Sequence, residues 1–250
     1  MSFTNAIVRT PGPDAAEGLT ASSLGRPVFS KLVDQHATYV KALNDLGLTI
    51  THLDALAGHP DAYFVEDTAL LFPELAVITR PGALPRRDEA AAIADTVAQF
   101  RLTFRLNEPA TLDGGDVLLV GQKVFVGLSE RTNSEGARQL ANILAPWNYE
   151  VVRVPVPSGL HLKSSVTWAG DDVLVLTEAL APQFPGFRHL IVPVDEEYAA
   201  NVLWINGTLL MPKGFPRTEE MLSALGPLCV LDQSEVQKMD GALTCMSLRF

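Results

Sequence analysis

The chain has 250 residues, with 19 Lys and Arg against 29 Asp and Glu, and its formal net charge is −10. With 47% hydrophobic residues and only 18 Gly and 17 Pro, it is too apolar to be disordered and long enough to bury a core without disulfides or a structural metal. The acidic charge argues against nucleic acid as a partner, because phosphate binding requires clustered Lys and Arg, and it weakly favours a small cationic ligand.

Cysteine usage and the amino-terminal segment predict a cytoplasmic protein. The two cysteines, Cys229 and Cys245, have no metal or redox spacing. The first residues lack the basic and apolar regions of a signal peptide, and no apolar run approaches the roughly 18 residues of a membrane span. We therefore expect reduced thiols, one of them free for chemistry, and no association with a membrane.

The first 53 residues predict a strand, a loop, a helix and a second strand. The strands are Asn5–Arg9 and Thr49–Leu53, and the helix is the amphipathic segment Phe29–Leu46, which Gly47 ends. The intervening residues 11–27 are small and polar and have no periodicity. Loops of this length are uncommon in compact domains unless they are lids or disordered.

Four later stretches repeat one order of elements: strand, turn, strand, helix, strand. The predicted first strands are Thr68–Phe72, Val117–Val120, Ser165–Trp168 and Val202–Ile205. The second strands are Ala76–Arg80, Val124–Val126, Val173–Leu176 and Thr208–Met211, the last following the hairpin dipeptide Asn206-Gly207. The third strands are Leu102–Leu106, Glu150–Val154, Leu190–Val194 and Leu228–Leu231.

The helices between the second and third strands differ in quality. Pro85–Phe100 presents a clear apolar face, and a capping box of Thr132 and Glu135 is predicted to open the next helix. The third helix is the weakest, because Pro182 and Pro185 interrupt it. The fourth has apolar residues near position 222.

A fifth copy appears only if the two ends of the chain are joined. Leu243–Leu248 then supplies its first strand, and Asn5–Arg9 supplies its second. The sequence thus predicts an α/β protein with one domain, residues 1–250, in which five ββαβ units with pseudo-fivefold symmetry form a ring. Pairing of the terminal strands would close that five-bladed propeller and remove exposed sheet edges. An ordinary layered α/β fold remains the alternative.

In such a ring, the residues that start the first strands meet near one axis. They are Asp67, Asp116, Lys163, Asn201 and Cys245. Buried polar groups are costly unless they are paired, so polar and reactive residues in this region predict a functional site.

Cys245 and His161 are the candidates for covalent and acid–base chemistry. A buried cysteine is usually a small hydrophobic residue, which is our interpretation of Cys229, but a thiolate stabilised by a cation would make Cys245 a nucleophile. His161 is a candidate general acid or base only because it is predicted to lie close to that thiol. A zinc site would need further ligands that no spacing supplies.

Acidic residues cluster in two segments that precede apolar strands. Asp61, Glu66 and Asp67 lie in the first segment, and Asp113 and Asp116 lie in the second. Carboxylates at such junctions often only cap turns. Converging on one axis, however, they would form an anionic pocket suited to a planar guanidinium, which donates paired hydrogen bonds to carboxylates.

Six segments, spread over nearly the whole chain, resemble the dimethylarginine dimethylaminohydrolases. They read PDAYFVED (60–67), TLDGGDVLLVG (111–121), GLSERTNSEGARQ (127–139), GLHLKS (159–164), AAN (199–201) and KMDGALTCMSLRF (238–250). The family has the pentein fold, the same five-bladed α/β propeller that the repeat predicts. The resemblance implies hydrolysis of N-methylated arginines to citrulline and methylamine or dimethylamine.

The same resemblance implies a role for each matching residue. Cys245 would form a covalent thiouronium intermediate, His161 would protonate the amine and activate water, and Asp113 would orient His161 or the guanidinium. The guanidinium would also meet Glu66 and Asp67. The amino-acid end of the substrate would be held by Asp61, Arg86, Arg131 and backbone groups of Leu19 and Met239. Residues 11–27 would be a lid, and neither metal nor organic cofactor is expected.

Two other functions remain open at this stage. Arginine deiminases act on unmethylated arginine, but they are longer chains with an added helical domain, for which 250 residues leave no room. A non-catalytic propeller that binds a macromolecule, as the ribosomal anti-association initiation factor does, would not need Cys245, His161 and Asp113 together. The oligomeric state is open, and a homodimer formed through exposed helix faces is compatible with the sequence.

Overall fold

The computed structural model describes residues 2–156 and 159–250, and within them fifteen strands form five three-stranded sheets. The strands are β1 Asn5–Arg9, β2 Thr49–Leu53, β3 Ala69–Leu71, β4 Leu75–Ile78, β5 Leu102–Arg105, β6 Val117–Val120, β7 Lys123–Leu128, β8 Glu150–Pro155, β9 Val166–Trp168, β10 Val173–Leu176, β11 Arg188–Ile191, β12 Leu203–Ile205, β13 Thr208–Pro212, β14 Leu228–Leu231 and β15 Leu248–Arg249. The α-helices are α1 Phe29–Asp45, α2 Arg87–Ala98, α3 Ser134–Leu144, α4 Pro216–Ser223 and α5 Ser234–Gln237.

All five sheets share one topology. The central strand of each sheet, which is β1, β4, β7, β10 or β13, pairs antiparallel with one neighbour and parallel with the other. A parallel pair requires a crossover connection, and α1, α2, α3 and α4 lie in four of these crossovers. The mixed α/β fold therefore fits the predicted five ββαβ units.

The crossover between β10 and β11 contains a 3-10 helix, Glu178–Gln183, in place of an α-helix. Pro182 lies inside it. Proline cannot donate the backbone hydrogen bond that an α-helix needs, and 3-10 helices are short by nature. The prediction of a weak third helix is confirmed.

The two ends of the chain pair, although over a shorter strand than predicted. Ala6 of β1 lies opposite Arg249, and Ile7 lies opposite Leu248, in antiparallel register. Residues Leu243–Met246, predicted as strand, form a 3-10 helix. The N–H of Cys245 closes this turn on the carbonyl of Ala242, and the N–H of Thr244 bonds a side chain, so neither is free for a sheet ladder.

The predicted capping box of α3 is wrong by one residue. Asn133 is the N-cap, and its side chain accepts a hydrogen bond from the N–H of Gly136. The Thr132 hydroxyl instead donates to the carboxylate of Asp116. A buried carboxylate is the stronger acceptor for that hydroxyl, because charge-assisted hydrogen bonds exceed neutral ones.

Turn residues occur where the sequence predicts them. Asn206 and Gly207 have φ angles of 47° and 94°, the left-handed pair that a two-residue hairpin between β12 and β13 requires. Gly47, with a φ of 94°, follows α1, which ends at Asp45. Helix α2 begins later than predicted, at Arg87, because Leu84–Arg86 form a 3-10 turn.

Buried apolar side chains form five clusters, and each cluster joins two sheets. Ile7 and Leu248 of the terminal strands, for example, pack with Ala76 and Ile78 of the β3–β5 sheet. On its other side, the terminal sheet packs through Val8 and α1 against Leu203 and Leu210 of the β12–β14 sheet. Among the residues described, no helix is long and apolar enough to cross a membrane.

Candidate active site

A cavity of about 360 Å³ brings together eight of the ten predicted site residues. The predicted residues that line it are Leu19, Asp61, Asp67, Arg86, Arg131, His161, Met239 and Cys245. They come from segments as far apart in sequence as the two termini. Phe64, Leu160, Asp240 and Gly241 complete the lining.

The convergence has a local cause in each sheet. A 3-10 turn precedes the first strand of every sheet, and these turns carry or border many of the candidate site residues. The turns are Val65–Thr68, Gly114–Asp116, Leu162–Ser164, Val194–Ala200 and Leu243–Met246. Because such a turn ends the sheet ladder, its side chains are free to point away from the sheet, and Cys245 and His161 reach one cavity.

His161 is held by a buried carboxylate. Its Nε2 lies 3.0 Å from Oδ2 of Asp113, and the Asp113 side chain is fully buried. Burial acts to lower the pKa of the imidazole, but the charge of Asp67 and the hydrogen bond to Asp113 outweigh it and raise the pKa to about 9. His161 is therefore a protonated acid at neutral pH. Asp113 does not line the cavity and acts on it through the imidazole.

Asp67 is held ionised at the cavity wall. Burial acts to raise the pKa of this carboxyl, yet His161 and Arg86 outweigh it and lower the pKa to about 2. Oδ1 accepts the N–H of Gly115 at 2.8 Å, and Oδ2 pairs with the Arg86 guanidinium. A carboxylate fixed in this way has lone pairs left for a cationic ligand.

Arg86 is buried and already has several partners. Its guanidinium pairs with Asp67 and Glu89 and donates to the carbonyls of Asp61 and Phe64. These contacts favour a role in holding Asp67 in place. Binding of the amino-acid end of a substrate by Arg86 stays a prediction.

Cys245 is a neutral thiol in this arrangement. Burial, followed by the charges of Glu66 and Asp67, raises the pKa of the thiol to about 12. A cation bound beside it would act in the opposite direction. The thiol and the imidazole of His161 share the cavity, as the sequence predicted.

Two further residues, Asp61 and Arg131, give the cavity lining charges of both signs. Both oxygens of Asp61 accept the N–H of Leu19, at 3.2 and 3.0 Å. The Arg131 guanidinium faces the cavity and makes neither a hydrogen bond nor an ion pair with any residue that the structure describes. Met239 is buried, and its N–H is bonded to the carbonyl of Val236. An ammonium and a carboxylate group would find partners in Asp61 and Arg131.

Glu66 lies away from this cavity and lines another. Its carboxylate is 2.6 Å from Nζ of Lys163 and 3.1 Å from Nη2 of Arg249, and it accepts the Thr244 hydroxyl at 2.8 Å. The predicted contact of Glu66 with a guanidinium therefore stays a prediction, and no described contact supports it.

The structure shows two residues that help to position His161 and whose roles the sequence did not predict. Asp116 is buried and accepts hydrogen bonds from Ser129, Thr132 and the N–H of Leu162, which follows His161. Gly115 packs so tightly that a Cβ there would lie 2.6 Å from Nδ1 of His161. The sequence marked Asp116 only as one of several acids and gave Gly115 no role, and the three-dimensional contacts separate both from Asp113.

Among the described residues, one group has ligand atoms close enough together to hold a metal: Asp67, Asp113 and His161, within 4.8 Å. These atoms already bond one another or a neighbour. Asp113 bonds His161, and Asp67 bonds Gly115 and Arg86. Hydrogen bonds and an ion pair within the protein therefore already use these ligand atoms, and together they form a network of acids and an imidazole.

A partly exposed thiol shares this cavity with a protonated imidazole and an ionised carboxylate, a combination that is typical of cysteine-dependent hydrolases. The arginine deiminase family model matches residues 59–183. The dimethylarginine dimethylaminohydrolase of Pseudomonas aeruginosa is 40% identical over 99% of this chain and 100% of its own. That of Streptomyces coelicolor is 41% identical over 100% and 98%. The chain belongs to the dimethylarginine dimethylaminohydrolase family.

Solved structures agree with this assignment. A mutant of the P. aeruginosa enzyme complexed with citrulline is 38% identical, covers both chains fully and gives a TM-score of 0.98. The amino-terminal domain of ArgZ, a cyanobacterial arginine dihydrolase, covers 98% of this chain and 97% of its own with a TM-score of 0.87. At 17% identity, the ArgZ likeness shows the fold alone.

Proposed function

We propose that this protein hydrolyses Nω-methylated L-arginines to L-citrulline and methylamine or dimethylamine, with Cys245 as nucleophile. The observation that carries the proposal is the cavity shared by Cys245, His161 and Asp67. Family membership supports the reaction, and the citrulline bound by the P. aeruginosa relative is its product.

In the first half of the reaction, the thiolate of Cys245 attacks the guanidinium carbon and a C–S bond forms. Asp67 orients the guanidinium by accepting its N–H groups, and the substrate's own charge favours the thiolate. The protonated His161 then gives its proton to the departing amine as the C–N bond breaks. The product of this half is a thiouronium on Cys245.

In the second half, His161 is neutral and takes a proton from water. The hydroxide attacks the thiouronium carbon, the C–S bond breaks, the proton of the added hydroxyl passes to solvent, and citrulline and the Cys245 thiolate are released. Asp113 stays hydrogen-bonded to the imidazole throughout and stabilises its charged form. Arg131 and Asp61 hold the carboxylate and ammonium groups of the amino acid.

A substrate panel tests this proposal. We expect the purified protein to release citrulline faster from asymmetric dimethylarginine and monomethylarginine than from arginine, and to release the matching amine. A protein that turned over plain arginine fastest would be an arginine deiminase. This is the alternative function, and the arginine deiminase family model matches residues 59–183. A protein that released no citrulline from any of the three would be a binding module.

The two perturbed pKa values predict the pH dependence. The reactive form has a Cys245 thiolate and a His161 imidazolium, and in the free protein the pKa of the thiol, about 12, exceeds that of the imidazole, about 9. The reactive fraction therefore grows with pH until His161 begins to lose its proton. We expect kcat/KM to rise by about tenfold per pH unit from pH 7 to near pH 9 and then level off.

The kcat profile should differ from that of kcat/KM. A bound guanidinium lowers the pKa of the thiol, so kcat should depend less steeply on pH over the same range. Steady-state rates measured from pH 6 to 10, with circular dichroism as a check on folding, give both profiles. A kcat/KM that fell between pH 7 and 9 would contradict this assignment of acid and nucleophile.

We also propose that the five units close into a single propeller domain. Each of the five apolar clusters joins two sheets, and the terminal sheet takes part in two of them. A second cavity, of about 860 Å³, is lined by residues from the first strand of every sheet, which supports a common axis. The pairing of β15 with β1 supports the closure.

Residues 11–27 act in this proposal as the lid over the substrate. The N–H of Leu19 bonds Asp61, and Thr20 and Ala21 bond Asp240, so the segment touches both walls of the cavity. Opening it would break these few hydrogen bonds and expose the amino-acid end of the site. Residues 19–26 are mostly exposed, and exposed loops with few buried contacts open at low free-energy cost, whereas Ala15 is buried in the apolar core and anchors the segment.

A further inference from the structure

We propose that Asn201 is a positioning residue that fixes the separation between the nucleophile and the general acid. The inference rests on the proposed function, but it concerns a residue that does not line the cavity of Cys245 and His161. Asn201 follows the 3-10 turn Val194–Ala200 and precedes β12, and its side chain is buried. Its carboxamide bonds two chain segments that carry catalytic groups.

The first segment is the turn that follows His161. Nδ2 of Asn201 donates to the carbonyl of Lys163 at 2.8 Å. His161 is the N-cap of the 3-10 turn Leu162–Ser164, so Lys163 belongs to the same rigid turn. A shift of the Lys163 carbonyl would move the imidazole with it.

The second segment is the turn that carries Cys245. Thr244, the residue before Cys245, donates its N–H to Oδ1 of Asn201 at 3.1 Å, and its hydroxyl accepts from Nδ2 at 3.0 Å. One amide group therefore joins residues 38 and 43 positions away in sequence. Only the observed orientation of the Asn201 amide satisfies all three partners. Its Oδ1 must accept the N–H of Thr244, and its Nδ2 must donate to the carbonyl of Lys163.

Glu66 also belongs to the hydrogen-bond network around Asn201. The Thr244 hydroxyl donates to Oε2 of Glu66 at 2.8 Å, which leaves its lone pairs to accept from Asn201. Oε1 of Glu66 lies 2.6 Å from Nζ of Lys163. Glu66 immediately precedes Asp67, so the layer of Glu66, Lys163, Asn201 and Thr244 lies beside all three groups that act on the guanidinium.

Asn201 itself is rigidly held. The Thr167 hydroxyl donates to the carbonyl of Ala200 at 2.6 Å and accepts the N–H of Val202 at 3.1 Å, so both peptide neighbours of Asn201 are fixed to β9. Hydrogen bonds in a buried network resist displacement more strongly than exposed ones. A misplacement of reacting groups by about 1 Å can cost roughly 100-fold in rate, which is why such a residue matters.

The test replaces Asn201 with Ala and compares it with Thr218→Val as a matched control. Thr218 is fully buried and bonds Glu196, away from the cavity. We expect N201A to lower kcat by about 10- to 100-fold with KM changed by less than about threefold, because the substrate contacts are elsewhere. T218V should lower the midpoint of thermal unfolding similarly and leave kcat nearly unchanged. Equal losses of kcat in the two variants, or a KM that rises as kcat falls, would overturn the proposal.

Thr244→Val keeps the test decisive if N201A does not fold. It removes only the hydroxyl between Asn201 and Glu66, and we expect a smaller loss of kcat, again at constant KM. An unchanged kcat in T244V would then overturn the proposal, and where N201A folds, the double variant should lose no more than N201A alone.

Alkylation of Cys245 separates this inference from the proposed function. Iodoacetamide modification, followed on the Cys245 peptide by mass spectrometry across pH, needs no substrate. We expect N201A, which admits water beneath the turn, to lower the pH at which alkylation accelerates, while T218V matches the parent protein. An unchanged profile in N201A argues against the positioning role. A shifted profile in a protein that releases no citrulline would refute the proposed function alone.

Discussion

Replacing Cys245 with Ser should abolish citrulline release, with a loss of at least about 10³-fold in kcat. The reason lies in the protonation states of the site. A serine hydroxyl needs a base to remove its proton, but the imidazole of His161 has a pKa raised to about 9 and is already protonated at neutral pH. Only a group that ionises by itself beside a bound cation can attack, and a thiol does so far more readily than a hydroxyl.

The measurement combines steady-state citrulline assays with mass spectrometry of protein quenched during turnover. The parent protein should carry a mass increase on the Cys245 peptide that corresponds to the thiouronium, and C245S should carry none. C245S should still bind citrulline, because the walls formed by Asp61, Asp67 and Arg131 are intact.

Cys229→Ser is the matched control. Cys229 lies on β14, is partly exposed and lines neither of the two cavities described above. Its substitution should leave turnover within about twofold of the parent protein. Citrulline release by C245S near the parent rate, or an adduct found on Cys229, would exclude Cys245 as the nucleophile.

Replacing His161 with Gly should lower turnover of dimethylarginine by about 10²- to 10⁴-fold, the range that a general acid–base group contributes. An amine cannot leave without a proton, and in the proposed mechanism the imidazole held by Asp113 donates it. In the second half of the reaction, the same variant lacks the group that activates water. Both halves therefore slow.

A substrate analogue that loses a thiol separates the two halves. S-methyl-L-thiocitrulline releases methanethiol, which leaves without prior protonation, so Cys245 in H161G should still form the adduct. The adduct should then persist, because no base activates water, and intact-protein mass spectrometry should find it accumulated for many turnover times. The parent protein should clear it.

His59→Gly is the control for loss of an imidazole. His59 lies in a loop outside the cavity, and its backbone N–H bonds the carbonyl of Leu56. The control should hydrolyse dimethylarginine at nearly the parent rate. Rapid clearance of the adduct by H161G would assign water activation to another group.

Patterns within single segments predicted the fold well. The Asn206-Gly207 hairpin, the end of α1 before Gly47 and the weak helix around Pro182 each follow from backbone preferences of a few residues. Short runs of apolar, β-favouring residues likewise predicted most strands to within a few residues. Errors occurred where a long-range contact competed with a local preference, as when Thr132 bonds Asp116 in place of the helix terminus.

Neighbouring acids show why the site was only partly predictable. Glu66 and Asp67 are adjacent in sequence and both carry a carboxyl group, yet Glu66 lines one cavity with Lys163 and Arg249, and Asp67 lines the other with His161 and Cys245. Successive residues of a turn point in different directions, so sequence proximity does not place two side chains in one cavity. Asp113 and Asp116 differ in their partners: Asp113 bonds the imidazole of His161, whereas Asp116 accepts from Ser129, Thr132 and the N–H of Leu162.

By itself, the sequence determined the repeated ββαβ order, the family, and the choice of Cys245, His161 and Asp113 as candidate catalytic residues. These depend on local periodicity and on short motifs of neighbouring residues. Only the tertiary structure decided which carboxylate holds the imidazole, which arginine is left for a ligand, and that Asn201 bonds Lys163 and Thr244 in the turns next to His161 and Cys245. Those contacts span 38 to 48 positions of sequence. They exist only after the sheets pack, when burial makes each polar group take whichever partner is within reach.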